Sequence, residues 1–318
     1  MILQNRKILV TGGAGFIGSN LVDKLLAQEN DVIVADNLVS GKSEFLSKIK
    51  AKIEIINVDL MKPDALSPVL KECDVVFHLA ANPQVKIKDE ETRLHINQNI
   101  ILTYNVLEGM RKKGVTEIAF ASTSTVYGEP EKVPTPENYG PLIPLSLYAA
   151  SKLACEALIS AYCYTYGMQT VMYRFANVIG PRSTHGVIFD FINKLQANPQ
   201  TLEILGREPG TTKSYIHISD CIGGMVYAYE NSKEKVGIYN IGSEDYINVK
   251  DIADIVCEEM GLNKVNYSWT GGVDDGRGWK GDVRTMLLDI QKMKTLGWKP
   301  KHTSKEAVRL TARELVKG

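Results

Sequence analysis

Tyr148 and Lys152, in the run YAASK, are the residues of this chain best suited to moving a proton. They open a helical pattern over Leu147–Tyr166, and positions four apart share a helix face. A free phenol titrates near pH 10 and is a poor base at neutrality. An ammonium beside it would favour the phenolate. That phenolate could take the proton of a sugar or alcohol hydroxyl. Upstream, FASTSTVYG places Ser122, Thr123, Ser124 and Thr125 after a strand. Hydroxyls at the carboxyl end of a strand face the ligand crevice of an open α/β sheet. One of them can bond the substrate oxygen and relay its proton.

The second chemical signal is TGGAGFIGSN, with Gly12, Gly15 and Gly18 between a strand and a helix. Glycine permits a tight turn and a close approach of backbone N–H groups to a pyrophosphate. The helix N-terminus adds a field that favours the anion. The spacing is GxxGxxG, so the loop is expected to differ slightly from the GxGxxG form. Asp36 ends the next strand run, 18 residues after Gly18. A carboxylate there accepts from ribose hydroxyls and repels a 2′-phosphate, which favours NAD over NADP. Lys42 nearby softens that discrimination.

These residues need a scaffold, and the first half of the chain supplies its pattern. Apolar runs at Lys7–Val10, Asp31–Ala35, Lys52–Val58, Asp74–His78, Glu117–Ala121 and Gln169–Phe175 read as buried strands. Helical patterns lie at Phe16–Gln28, Pro63–Glu72, Glu90–Lys113 and Leu147–Tyr166. Alternation of this kind predicts a parallel sheet covered on both faces, in a doubly wound α/β fold. After Phe175 the rhythm loosens. Short strands are expected at Thr201–Leu205 and Ile238–Ile241, and helices at Ile188–Ala197, Ser219–Glu230 and Val249–Met260. The expected division is a dinucleotide-binding domain over 1–176 and a smaller, interleaved substrate-binding lobe over 177–318. Segments around 214–245 are expected to return to the first domain.

Composition narrows the function. Thirty-seven Lys and Arg balance 37 Asp and Glu, so a large nucleic-acid surface is not expected. No stretch reaches the roughly 18 apolar residues of a membrane helix. Few residues precede the first strand run, which is expected to leave no room for a signal peptide. Cys73, Cys155, Cys163, Cys221 and Cys257 are scattered and odd in number. Disulfides and a metal site are therefore not expected, and the expected location is the cytoplasm.

The motifs together resemble the extended short-chain dehydrogenase/reductases, and within them the nucleotide-sugar epimerases of the UDP-glucose 4-epimerase type. The resemblance rests on TGGAGFIGSN, Asp36-Asn37, Asp59-Leu60, HLAA at His78–Ala81, Asn99, STSTVYG, YAASK, RFANVIGPR, SYIHISD and GDV, in family order over nearly the whole chain. It implies a Rossmann-like fold and a pyrophosphate loop of Gly12, Gly15, Phe16 and Ile17. It implies an adenosine-ribose end at Asp36, Asn37, Ser40 and Lys42. Asp59 and Leu60 would flank the adenine. Leu79, Ala80 and Ala81 would pass under the dinucleotide, with Asn99 behind. Thr123 would assist catalysis with Ser124 beside it, Tyr148 would be the acid/base, and Lys152 would hold the cofactor ribose. Asn177 and Lys213 would contact the substrate diphosphate, Val187 the nucleotide base and Asp282 its ribose. The implied reaction is NAD-dependent inversion at C4 of a UDP-hexose through a transient 4-keto sugar, in a homodimer built on the two long helices. UDP-glucuronate and UDP-N-acetylglucosamine are alternative substrates. A nucleotide-sugar reductase and a catalytically silent cofactor sensor are alternative functions.

Four departures qualify the resemblance. The family's dehydratases carry an Asp-Glu pair where this chain has Ser124-Thr125, and its decarboxylases usually carry Glu at the position of Thr125. Lys213 replaces an arginine, trading a bidentate fork for a point charge; Arg277 is expected to supply the missing guanidinium. Pro83 stands where some epimerases have a lysine. Met286 falls where the family controls the width of the sugar pocket.

Overall fold

The computed structural model describes residues 2–85 and 91–317. Its strands are β1 (Lys7–Thr11), β2 (Asp31–Asp36), β3 (Glu54–Asn57), β4 (Val75–His78), β5 (Glu117–Thr123), β6 (Gln169–Phe175) and β7 (Asn177–Ile179). They continue with β8 (Thr201–Ile204), β9 (Thr212–Lys213), β10 (Tyr215–His217), β11 (Val236–Ile241), β12 (Ile247–Asn248), β13 (Asn266–Trp269) and β14 (Thr285–Met286). The helices are α1 (Phe16–Leu26), α2 (Ser67–Leu70), α3 (Leu102–Lys113), α4 (Leu147–Tyr166), α5 (Val187–Ala197), α6 (Ile218–Asn231), α7 (Val249–Glu259), α8 (Gln291–Leu296) and α9 (Ser304–Lys317).

Two compact units divide the chain: 1–126, 146–174 and 225–239 form one, and 127–145, 175–224 and 240–318 the other. The first is built on a seven-stranded parallel sheet in the order β11-β6-β5-β4-β1-β2-β3. The strands are buried runs such as KILVT and DVIVAD, as a sheet covered on both faces requires. The strand order reverses between β1 and β4, the switch point at which open α/β sheets bind ligands. Val106, Leu107 and Met110 of α3 and Cys155, Ile159 and Cys163 of α4 pack with Leu9, Ile33, Val76, Ile118 and Phe120 of the sheet. All five cysteines are buried and free. The second unit packs α5, α7 and α9 around Ile188, Phe191, Leu202, Ile252, Val256 and Val308. Its strands pair as β10-β7, β12-β9-β14 and β13-β8.

Several local expectations are corrected. Pro63–Glu72 holds only the single turn α2, because Asp64 adopts a positive φ of 60° and breaks the pattern. Within the pattern Glu90–Lys113, Glu90 lies outside the described residues, and Ile96–Ile101 form a π-helical turn before α3. The sequence divisions also differ in detail. The segment 127–145 belongs to the second unit, and the stretch that rejoins the first is 225–239, which leads into sheet strand β11. Among the described residues no helix is long and apolar enough to cross a membrane.

Gly18 is the tightest point of the first turn. A Cβ there would lie 2.2 Å from the Gly12 carbonyl oxygen and 2.8 Å from the Gly13 Cα. Backbone cannot give way cheaply, so Gly18→Ala is expected to cost about 2 kcal/mol. Thermal denaturation should register it as a Tm lower by several degrees.

Candidate active site

The glycine loop joins β1 to α1. Gly15 sits at the N-cap in extended conformation, and no side chain closes over the first N–H groups of the helix. Phe16 and Ile17 form the first turn, both partly exposed. Gly12 has φ +69°, and a Cβ there would meet the Ala80 backbone nitrogen at 2.7 Å. Leu79 and Ala80 lie this close because their N–H groups donate to the Thr11 carbonyl (3.1 Å) and hydroxyl (3.3 Å); Ala81 follows, partly exposed.

Asp36 is buried at the end of β2. Its carboxylate accepts from Ala14 N–H (3.0 Å) and Leu38 N–H (2.9 Å). A carboxylate offers about four lone-pair sites, so capacity remains for two ribose hydroxyls. A bare helix start for phosphate and a carboxylate with spare lone pairs fit a dinucleotide. Asn37, Ser40 and Lys42 are exposed on the following loop, and the Lys42 amine lies over the Phe45 ring. Asp59 is exposed, and accepts from Met61 N–H. The Leu60 side chain is in the core, and its carbonyl accepts from Asn105.

Tyr148 is set in place by the start of α4. Ser146 caps that helix, its hydroxyl accepting from Ala149 N–H. The half-buried Tyr148 phenol is bonded to the Thr123 side chain. Thr123 also meets the Thr125 hydroxyl at 3.1 Å, and Ser124 is buried beside it. Asn99, in the π turn, donates to the Ser151 hydroxyl (2.8 Å) and accepts from Asn82 N–H. Ser151 in turn donates to the Tyr148 carbonyl (2.7 Å).

The Lys152 ammonium is turned to the sheet. The Lys152 Nζ donates to the Ala121 carbonyl (2.7 Å) and lies 4.7 Å from the Phe120 ring centre. Burial pushes its pKa down to about 8. Burial also pushes the Tyr148 phenol up to about 12, and the Thr123 bond opposes this. Without a cofactor, the phenol is therefore protonated at neutral pH.

In the second unit, Lys213 is ion-paired with buried Asp282 at 2.5 Å and lies over the Trp279 ring. Arg277 is not a free guanidinium. It donates to the Asp282 carbonyl and to Glu129, both at 2.6 Å. The structure thus brings Lys213, Arg277 and Asp282 together, with Lys213 paired to the Asp282 carboxylate and Arg277 to Glu129. Asp282 Oδ2, Arg277 Nε and Trp279 Nε1 are buried without a hydrogen-bond partner among the described residues. Buried polar atoms are normally paired, so these three are exceptions to that rule. Asn177 instead donates to the Ser214 carbonyl, and Val187 begins α5.

A model of the NAD dependent epimerase/dehydratase family matches residues 8–242. The chain belongs to this family. A crystal structure of a UDP-galactose 4-epimerase is similar at 41% identity, covering 98% of this chain and 99% of that one, with a TM-score of 0.88. The Thermus thermophilus UDP-glucose 4-epimerase, solved with NAD, is 33% identical over 98% of this chain and 99% of its own, with a TM-score of 0.86. UDP-glucuronic acid decarboxylase 3 of Arabidopsis thaliana is 33% identical, over 96% of this chain and 88% of its own. Family membership therefore fixes NAD-dependent chemistry on nucleotide sugars and leaves the sugar and the net reaction open.

Some residues of this family member carried no recognisable signal. His95 is buried with its ring edge-on to Tyr148, centroids 5.7 Å apart. Trp279 and Glu129 gained their places only when loops distant in sequence met. His78, visible within HLAA, has a role that only contacts reveal. Its Nδ1 meets the Thr11 hydroxyl (2.7 Å) and its Nε2 the Thr103 hydroxyl (3.0 Å). Thr103 donates onward to Cys155, which assigns the proton to Nε2. Burial, aided by the Lys152 charge, pushes His78 down to about 3.

The unfolded chain therefore takes up this proton more readily than the folded one. The stabilisation from neutral His78 is complete above about pH 6.5 and is lost as pH falls toward 3. Denaturant titrations at pH 7 and pH 4.5 should show His78→Asn losing less stability over that interval than the unaltered protein.

Proposed function

We propose that the protein is a UDP-hexose 4-epimerase, inverting C4 of UDP-glucose or UDP-galactose through a transient 4-keto sugar. The observation that carries this reading is the Tyr148 phenol bonded to Thr123, among hydroxyls and without a neighbouring acidic pair at 124–125. A reaction that returns what it takes needs one group able to accept and to give a proton. A phenol that starts protonated meets that need when a cation joins it. NAD, when bound, supplies the hydride acceptor and donor, and in its oxidised form a positive ring.

The roles of this chain's own residues follow. Gly12, Gly15, Phe16 and Ile17 hold the pyrophosphate, and Asp36 the adenosine ribose, with Asn37, Ser40 and Lys42 around it. Asp59 and Leu60 border the adenine, and Leu79, Ala80, Ala81 and Asn99 support the dinucleotide. Lys152 binds the cofactor ribose. Thr123 and Ser124 orient the sugar hydroxyl, and Tyr148 moves its proton. Asn177, Val187, Lys213, Arg277 and Asp282 hold the nucleotide of the substrate. A diphosphate must then compete with Asp282 and Glu129 for Lys213 and Arg277, which makes the grip electrostatic and salt-sensitive.

Decarboxylation, the activity named for the Arabidopsis relative, is not adopted, because Thr125 stands where those enzymes usually carry a glutamate. The homodimer is part of the proposal, and Ile101 and Tyr104 leave exposed apolar surface along the π turn and α3. Light scattering should give twice the chain mass.

Purified protein given UDP-galactose and NAD⁺, with no reductant, should form UDP-glucose. Tyr148→Phe should lower kcat at least about 100-fold while NAD still binds. Full turnover by that variant would remove Tyr148 from the acid/base role.

A further inference from the structure

Three successive residues at the end of β5 each meet one residue of a single α4 stripe. The Ala121 carbonyl accepts from Lys152 Nζ (2.7 Å), the Ser122 hydroxyl donates to Glu156 Oε1 (2.5 Å), and Thr123 bonds the Tyr148 phenol. Tyr148, Lys152 and Glu156 are spaced by four and so share a helix face. Glu156 is only 4% exposed. Arg174 of β6 holds it with two bonds, Nε to Oε1 at 3.0 Å and Nη2 to Oε2 at 2.7 Å. Replacing a buried ion pair by apolar residues is often neutral or stabilising. Stability alone therefore does not account for charge at this position.

The surroundings of Lys152 suggest what does. Its charge acts on His78 of β4 and His95 ahead of the π turn, Cys155 and Glu156 of its own helix act on it, and Arg174 holds Glu156. Burial lowers both histidines and raises the Cys155 thiol, so all three are uncharged at neutral pH. Burial also lowers Lys152 itself, and Cys155 and Glu156 oppose that shift. Of these neighbours, Glu156 is the one that is also fixed to the end of β5, through Ser122.

We propose that Glu156 is a positioning residue for the Tyr148–Lys152 pair: it fixes the end of β5 through Ser122 and sets its charge one turn from the Lys152 ammonium. This rests on the acid/base reading of Tyr148 and Lys152 given above.

The test is a pH titration of the full chain, without cofactor, carrying lysine labelled with ¹³C at Cε. The Lys152 signal is assigned by its loss in Lys152→Arg. Its midpoint should lie at about 8, fall by about one pH unit in Glu156→Gln, and return to within a few tenths of its starting value in Glu156→Asp. In turnover of UDP-galactose with NAD⁺, Glu156→Gln should lower kcat about tenfold at unchanged KM. Its alkaline limb should move down with the midpoint. An unmoved Lys152 midpoint in Glu156→Gln overturns the proposal. Should that variant fail to fold because Arg174 is left unpaired, Ser122→Ala keeps the ion pair whole and carries the test. It should lower kcat at unchanged KM, and unaltered kcat overturns the proposal. Turnover retained by Tyr148→Phe would sink the acid/base reading itself, whereas a fixed midpoint in the titration sinks only the role of Glu156.

Discussion

The burial of one ammonium constrains everything around it. Lys152 is 3% exposed and donates a hydrogen bond to the backbone carbonyl of Ala121. Removing a cation from water costs several kcal/mol before its neighbours repay part of it. Its proton is accordingly held only to about pH 8. The same desolvated region keeps His78 and His95 neutral and keeps the Tyr148 phenol protonated. Burial thus loosens the proton of Lys152 and tightens that of Tyr148.

The dinucleotide end depends on closeness rather than charge. Gly12 and Gly18 permit backbone to lie against backbone, and Asp36 pins the loop by accepting from Ala14. The carboxylate that is proposed to read the ribose is thus also a brace for the phosphate loop. The second unit uses a different principle. Lys213, Arg277, Asp282 and Glu129 neutralise one another, so the cations are held in place before any anion arrives, at the cost of a competition that the ligand must win.

Much of the fold was legible because parallel strands are apolar on both faces. DVIVA and the β6 run QTVMYRF could be read without knowing their neighbours. Leu147–Tyr166 matched α4 to the residue, since Ser146 and Gly167 punctuate it chemically. Pro63–Glu72 misled because its apolar spacing was helical while Asp64 took a left-handed conformation. Among the site residues, the glycine loop, Asp36 and the tyrosine–lysine spacing were local patterns and could be seen. The partners of Arg277 and Lys213 could not, because Glu129 lies 148 residues from Arg277 and Asp282 lies 69 from Lys213.

Sequence by itself determined residue chemistry and short-range geometry: which groups share a helix turn, where glycine is required, and which strands are buried. That is enough to place the chain in its family, since these features are set by spacing along one backbone. Tertiary structure decided where the charges point. Helical spacing put Lys152 one turn from Tyr148, but the Ala121 carbonyl and the Phe120 ring took its amine. A side chain with four rotatable bonds turns toward whichever acceptor the packed sheet presents, and only the fold supplies that acceptor.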